Sequence, residues 1–108
     1  MTTTVQTEQD LWKAILTLKT PAEAGKFFSD LLTKDEITDI AKRWQVARML
    51  SAGDSYQTIQ KETALSSRTI ARISSWLKEG KGGYQLMLTR INDSHHSVLA
   101  PHRRKTAS

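Results

Sequence analysis

The feature that most constrains the fold is a long segment in which apolar side chains recur every three or four residues. It runs from Thr33 to Gly53, and the recurring positions are Ile37, Ile40, Ala41, Trp44, Ala47 and Leu50. This interval is the repeat of one face of an α-helix. Thr33 and Glu36 stand at the spacing of a capping box, and Gly53 suits the position that follows a helix. We therefore predict a long helix with these residues on one apolar face.

Two further helices are predicted before this segment. Residues 7–18 carry a broad apolar stripe. Thr20, Pro21 and Glu23 have the pattern of an N-cap, a first helical residue and the second member of a capping box, so the next helix should run to about Leu32. The apolar residues of these two helices are Leu11, Trp12, Ile15, Leu16, Leu18, Ala24, Phe27, Phe28 and Leu31.

After Gly53 the chain shows three shorter helical patterns, at residues 56–63, 66–78 and 84–91, with a glycine-rich break before the last. The 108 residues include only five glycines and two prolines, which favours long helices over a turn-rich sheet. We predict an all-α fold of about six helices, which form a single domain over residues 1–92. Residues 93–108 are predicted to be a flexible basic tail.

The fourth and fifth helices have the spacing of a helix-turn-helix, which we place at residues 56–78. Two short helices joined by a tight turn need buried residues at fixed offsets. Those positions are Ile59, Thr63, Leu65, Ile70 and Ile73. Ala64 stands in the turn where a glycine is usual, and alanine is strained in a left-handed conformation. The alternative is a helical hairpin without a special role, whose arginines only solvate a surface.

The fifth helix has the side chains that a major-groove reader needs. At about 100° per residue, Arg68, Arg72 and Ser75 fall on the face opposite its apolar positions. Ser66 or Ser67 caps the helix, so its free amides and positive dipole end favour phosphate or base edges. The predicted contacts are Arg68 and Arg72 to bases, and Tyr56, Gln57 and Lys61 of the preceding helix to phosphates.

The charge distribution favours an acidic partner. Residues 1–50 hold seven basic and seven acidic side chains, whereas residues 51–108 hold nine and four, so the whole excess of +5 lies in the second half. The chain shows no cysteine, no membrane-spanning apolar run and no secretory leader, so we expect a cytoplasmic protein with no membrane partner. No catalytic constellation or metal spacing is visible, so we expect no enzyme activity and no metal, and we interpret His95, His96 and His102 as surface residues.

With a helix-turn-helix behind a long capped helix, the chain resembles the Trp repressor family over roughly residues 31–88. The most specific stretches are residues 32–36, Arg43, residues 50–53 and residues 55–72. The resemblance implies an all-helical, intertwined homodimer that binds double-stranded DNA; an ordinary monomer core is the alternative. The family's operator-contacting positions fall on Gln57, Gln60, Ser67, Arg68, Thr69 and Ala71. Lys61, Ser66 and Arg72, identified from the helix pattern, complete the candidate DNA contacts.

The resemblance also implies a small-molecule site. In the family's tryptophan-binding members the corepressor lies between two arginines and near a threonine, at positions that match Arg43, Arg72 and Thr33. Ile73 and Trp76 depart from the family's glycine and serine, and they add bulk where the ligand would need room. We therefore expect that no cofactor is required, and we keep L-tryptophan as a candidate corepressor.

The predicted function is that of a sequence-specific DNA-binding regulator of transcription, a repressor that acts as a homodimer on a palindromic operator. A small ligand such as tryptophan is its candidate effector. The alternative is a protein-interaction or adaptor module that retains the fold without specific operator binding. The basic run at residues 102–105 is either an arm that grips phosphate or a solubilising end.

Overall fold

The structure is a computed structural model that describes the backbone of residues 3–98 and the side chains of residues 3–92. In this part of the chain all regular structure is helical, which confirms the all-α prediction. The six helices are α1 (Thr4–Ile15), α2 (Pro21–Leu31), α3 (Lys34–Ser51), α4 (Tyr56–Thr63), α5 (Ser67–Glu79) and α6 (Gly83–Val98). None of them is both long and apolar enough to cross a membrane.

The helix starts follow from short-range hydrogen bonds. At α3, the Glu36 amide donates to the Thr33 hydroxyl (3.1 Å) and the Thr33 amide donates to the Glu36 carboxylate (2.8 Å), so the predicted capping box is confirmed. At α2, Thr20 is the N-cap and accepts from the Glu23 amide (3.1 Å). The Glu23 carboxylate, however, accepts from the Lys19 amide (2.9 Å), one residue further back than predicted.

The ends of α1 and α6 differ from the prediction. Helix α1 begins at Thr4 because the Thr3 hydroxyl accepts from the Gln6 amide (3.0 Å). It ends at Ile15, where the Thr17 hydroxyl (2.6 Å) and the Thr17 amide (3.1 Å) both donate to the Ala14 carbonyl and close a tighter turn. Helix α6 continues to Val98, past the predicted end at Ile91, and residues 84–98 contain no glycine or proline to stop it. The rest of the predicted tail, residues 99–108, lies outside the described residues.

The chain divides into two compact units, with the boundary inside α3 between Ile40 and Ala41. The first unit holds α1, α2 and the start of α3. Among its described residues no side chain is fully buried, and Leu16 (82%), Trp12 (48%) and Ile40 (46%) keep about half or more of their surface exposed. Several residues of the predicted apolar faces are therefore exposed in a single chain, because within this unit no other element covers them.

The second unit contains the core. Its fully buried apolar side chains come from α3, α4 and α5 and are Val46, Ala47, Ile59, Ile70 and Ile73. Partly buried residues surround them: Trp44, Met49, Leu50, Leu65 and Tyr84. Complete burial of an aliphatic side chain contributes about 1.5–3 kcal/mol, so this small cluster is the main force that holds α4 and α5 against α3.

Burial in α3 and α6 departs from the periodic pattern. Val46, which the pattern missed, is fully buried, whereas Ile40 and Ala41 are exposed. In α6 the apolar pattern of the sequence predicts burial of Leu86, Met87, Leu88 and Ile91, and of these only Leu88 is buried. Spacing identifies an apolar face, but the neighbouring elements decide which part of that face is covered.

Candidate nucleic-acid interface

Helix α4 is short, and its ends are fixed by side-chain hydrogen bonds. Ser55 caps it by accepting from the Thr58 amide (3.2 Å). At the other end the buried Thr63 hydroxyl donates to the Ile59 carbonyl (2.7 Å) and accepts from the Leu65 amide (3.3 Å). Because the hydroxyl both donates and accepts, this buried polar group is satisfied and ties α4 to the turn.

The turn between α4 and α5 passes through Ala64 in the left-handed conformation, with φ 61° and ψ 17°. Its amide donates to the Gln60 carbonyl (2.8 Å), which ends α4 with a left-handed C-cap. Among the described residues it is the one non-glycine residue with positive φ. The prediction of a strained alanine in the turn is therefore confirmed. The left-handed conformation of Ala64 produces the sharp reversal between the two helices.

The N-terminus of α5 is capped by Ser66 rather than Ser67. The Ser66 hydroxyl oxygen accepts from the Thr69 amide (3.2 Å) and also lies 3.1 Å from the Thr69 hydroxyl. The amides of Ser67 and Arg68 have no acceptor within the helix, so the positive end of the helix dipole is available at this point. This is the end that the predicted docking geometry directs toward a nucleic acid.

Most candidate DNA contacts lie on the surface. The exposed ones are Gln57, Lys61, Ser66, Ser67, Arg68, Ala71 and Arg72. Gln60 and Thr69 are half-buried, and the hydroxyl of Thr69 lies next to that of its cap partner Ser66. Ile70 and Ile73 are fully buried, so the arginine face of α5 points away from the core as predicted.

Arg68 and Arg72 are available for a ligand. Within residues 3–92 neither guanidinium makes an ion pair or hydrogen bond with another side chain. Residues 56–78 hold four basic side chains and one acidic side chain, which gives this segment a net charge of +3. An exposed, unneutralised pair of arginines one turn apart is suited to phosphate or base edges.

The three candidate ligand residues are found in different units. Thr33 belongs to the first unit, where its hydroxyl and its amide are both used in the capping box. Arg43 and Arg72 belong to the second unit, where Arg43 is half-buried and Arg72 is exposed. His95, His96 and His102 lie outside the residues whose side chains are described.

An aromatic cluster beside α5 was not predicted. The guanidinium carbon of Arg43 lies 6.0 Å from the ring centre of Trp76. Trp44 and Tyr84 stack with their ring centres 6.3 Å apart and their planes at 14°. A groove of about 820 Å³ runs along the cluster and is lined by Trp44, Trp76, Glu79, Gly80, Lys81, Gly83, Tyr84 and Met87. Only the bulk of Trp76 signalled this cluster in the sequence.

The chain is similar to proteins of one family. The family model described as Trp repressor protein matches residues 6–92. YerC of Bacillus subtilis (strain 168), an uncharacterized protein, is 40% identical over 84 residues, which are 78% of this chain and 81% of YerC. A TrpR-like protein from Eubacterium eligens ATCC 27750 has a TM-score of 0.77 and 37% identity, over 81% of this chain and 90% of that one.

A second solved structure has the same fold. It is a Staphylococcus aureus protein proposed to be a Trp repressor, with a TM-score of 0.75 and 40% identity over 80% of this chain and 86% of that one. The family match spans all of α4 and α5, so the helix-turn-helix lies within the matched segment.

Proposed function

Because the chain belongs to the Trp repressor family, we propose that it is a sequence-specific DNA-binding regulator of transcription, a repressor that acts as a homodimer on a palindromic operator. The observation that carries this proposal is the exposed face of α5, where Arg68 and Arg72 stand unneutralised behind a capped helix N-terminus. A surface that only needed solvation would not require an arginine pair at this end of a helix-turn-helix.

The mode of binding follows from this face. Helix α5 enters the major groove with its N-terminal residues toward the bases, and α4 crosses the backbone. Arg68 makes a bidentate contact to guanine O6 and N7, which is worth about 1–3 kcal/mol of discrimination against another base. Gln57 and Lys61 contact phosphates and set the register, without reading sequence.

The homodimer accounts for the exposed apolar side chains. Trp12, Leu16, Leu31 and Ile40 in the first unit, and Leu86, Met87 and Ile91 on α6, keep large parts of their surface exposed in one chain. Soluble monomers rarely expose so many large apolar groups. A second copy of the chain would cover these faces, and its two-fold axis would place two reading helices about one DNA turn apart, which requires a palindromic operator.

The proposed regulator is not an enzyme, requires no cofactor and works in the cytoplasm, where operator DNA is accessible to it. L-Tryptophan is the ligand to test, because Arg43, Arg72 and Thr33 match the family's corepressor positions. Isothermal calorimetry of the purified chain with L-tryptophan measures this directly: heat at millimolar ligand supports tryptophan as the corepressor, and no heat ends that assignment.

The experiment that tests the proposal is selection of bound sequences from random double-stranded DNA by the full chain. We expect enrichment of a two-fold motif with guanines at the positions that Arg68 reads. Arg68→Ala and Arg72→Ala should lose the preference for that motif, whereas Arg90→Ala removes the same charge from α6 and should keep it. A chain that enriches no motif, and binds DNA only weakly and in a salt-sensitive manner, would instead be an adaptor module.

A further inference from the structure

The reading helix is joined to α3 by a contact between a cation and an aromatic ring. Arg43 of α3 lies over the indole of Trp76 of α5, with 6.0 Å between the guanidinium carbon and the ring centre. A guanidinium over the face of tryptophan is attracted by the electrons of the ring, and tryptophan is the most favourable partner for this interaction. Arg43 is half-buried and Trp76 is 41% exposed, so the contact lies at the edge of the core and is only partly screened by water.

Trp76 holds the part of α5 that the core leaves free. The first turns of the helix are fixed by the Ser66 cap and by the buried Ile70 and Ile73. Beyond Ile73 no side chain of α5 is fully buried. Trp76 lies one turn after Arg72. Because a single α-helix is stiff over this length, a contact at Trp76 limits the same rotation of α5 that Ile70 and Ile73 limit nearer its start, and that rotation determines where the arginines point.

The backbone after Trp76 is also fixed. The Gly80 amide donates to the Trp76 carbonyl (2.8 Å), and a Cβ at position 80 would clash with that same carbonyl oxygen. The chain can therefore turn here only because residue 80 is a glycine. The indole of Trp76, with Trp44 and Tyr84, lines the groove of about 820 Å³. The aromatic ring over which Arg43 lies is therefore a side chain of the protein and not a bound ligand.

We propose that Trp76 is a positioning residue for DNA reading: its contact with Arg43 acts together with the buried Ile70 and Ile73 to set the rotation of α5, and so directs Arg68 and Arg72 without any small-molecule effector. This inference rests on the proposed function. It predicts that operator recognition depends on an aromatic ring at position 76 and on a cation at position 43, and that the reading helix needs no added aromatic ligand.

A double-mutant cycle on the full-length chain tests the inference, with dissociation constants measured for the selected operator and for random duplex DNA. Trp76→Leu keeps an apolar side chain but removes the ring, and Arg43→Met removes the cation. Each should lower the ratio of specific to random binding on the order of tenfold, and the double variant should lose no more than either single variant. Trp76→Phe should restore most of the ratio, because a ring returns.

The salt slope separates positioning from loss of charge. Trp76→Leu should leave the slope unchanged, because no phosphate contact is removed. Thermal unfolding of each variant is measured alongside. If Trp76→Leu or Arg43→Met fails to fold, the ratio of specific to random binding is measured on the milder variants Trp76→Phe and Arg43→Lys. L-Tryptophan or indole at millimolar concentration should alter operator binding by the natural chain less than about twofold.

Three results would overturn the inference. They are unchanged discrimination in Trp76→Leu, additive losses in the double variant, and a large gain in operator affinity of the natural chain with L-tryptophan. In each case the natural chain still prefers its operator, so the proposed function survives. A natural chain without any sequence preference would overturn both.

Discussion

The two units of the chain contrast in how they place their apolar side chains. The second unit buries three isoleucines, a valine and an alanine completely, whereas the described residues of the first unit bury none, although both units have well-capped amphipathic helices. The formation of a helix therefore does not by itself produce a buried core. Local signals start and stop helices in both units, but among the described residues the side chains that neighbours remove fully from water come from α3, α4 and α5, with Leu88 of α6 nearly buried beside them.

The largest expected effect compares two isoleucines on opposite sides of the boundary. Ile73→Ala opens a cavity in the core and should destabilise the chain by about 2–5 kcal/mol. Ile40→Ala removes the same atoms from a side chain that is 46% exposed, so it should cost far less in a chain without a partner. Urea unfolding at low protein concentration measures both, and equal losses would contradict the contrast between the units.

The second prediction concerns the partner that the first unit requires. Leu16→Glu changes a side chain that is 82% exposed in one chain, so it should barely alter the stability of a monomer. If a second copy covers this face, the new charge is buried, and self-association should weaken by roughly tenfold or more. Gln9→Glu adds the same charge to an exposed position of α1 and is the control. Sedimentation equilibrium distinguishes them, and identical association constants would contradict coverage of Leu16.

The third prediction tests the cap of the reading helix. Ser66→Ala removes the acceptor of the Thr69 amide and should cost about 1 kcal/mol of stability. Ser67→Ala changes the adjacent exposed serine, which does not cap the helix, and should cost much less. Urea midpoints at constant slope provide the comparison. A larger loss in Ser67→Ala would show that the cap lies one residue later.

The smallest expected effect is a gain. Ala64→Gly relieves a left-handed alanine and should stabilise the chain by about 0.5–1 kcal/mol, after the extra flexibility of glycine in the unfolded chain is subtracted. Ala71→Gly, in the middle of α5, should destabilise by about 1 kcal/mol. Thermal unfolding of the pair should show shifts of opposite sign, and a loss in both variants would exclude strain at Ala64.

The features that were predictable from the sequence depend on short stretches of chain. The Thr33–Glu36 capping box, the left-handed Ala64 and the outward face of Arg68 all follow from residues within a few positions of one another. These interactions form regardless of how the helix packs against the rest of the chain. The same locality explains why the helix-turn-helix and its candidate contacts could be identified before the structure.

The features that were missed depend on distant parts of the chain. Val46 lies outside the periodic pattern of α3 but is buried, since α4 and α5 pack on that side of the helix. The contact between Arg43 and Trp76 joins residues 33 positions apart, and its existence depends on the placement of α5 against α3. The family resemblance implied that Trp76 adds bulk near Arg43, but the direct contact between the two side chains could not be read from the sequence.

Thr63 shows how much a single position can specify. Its side chain is almost fully buried, while its hydroxyl joins the Ile59 carbonyl in α4 to the amide of Leu65. Valine has the same shape but would leave that amide without an acceptor, and serine has the same chemistry but would leave a hole. Position 63 therefore requires both the shape and the hydroxyl of threonine. A family search that scores hydrophobicity alone would miss the importance of Thr63 for the turn.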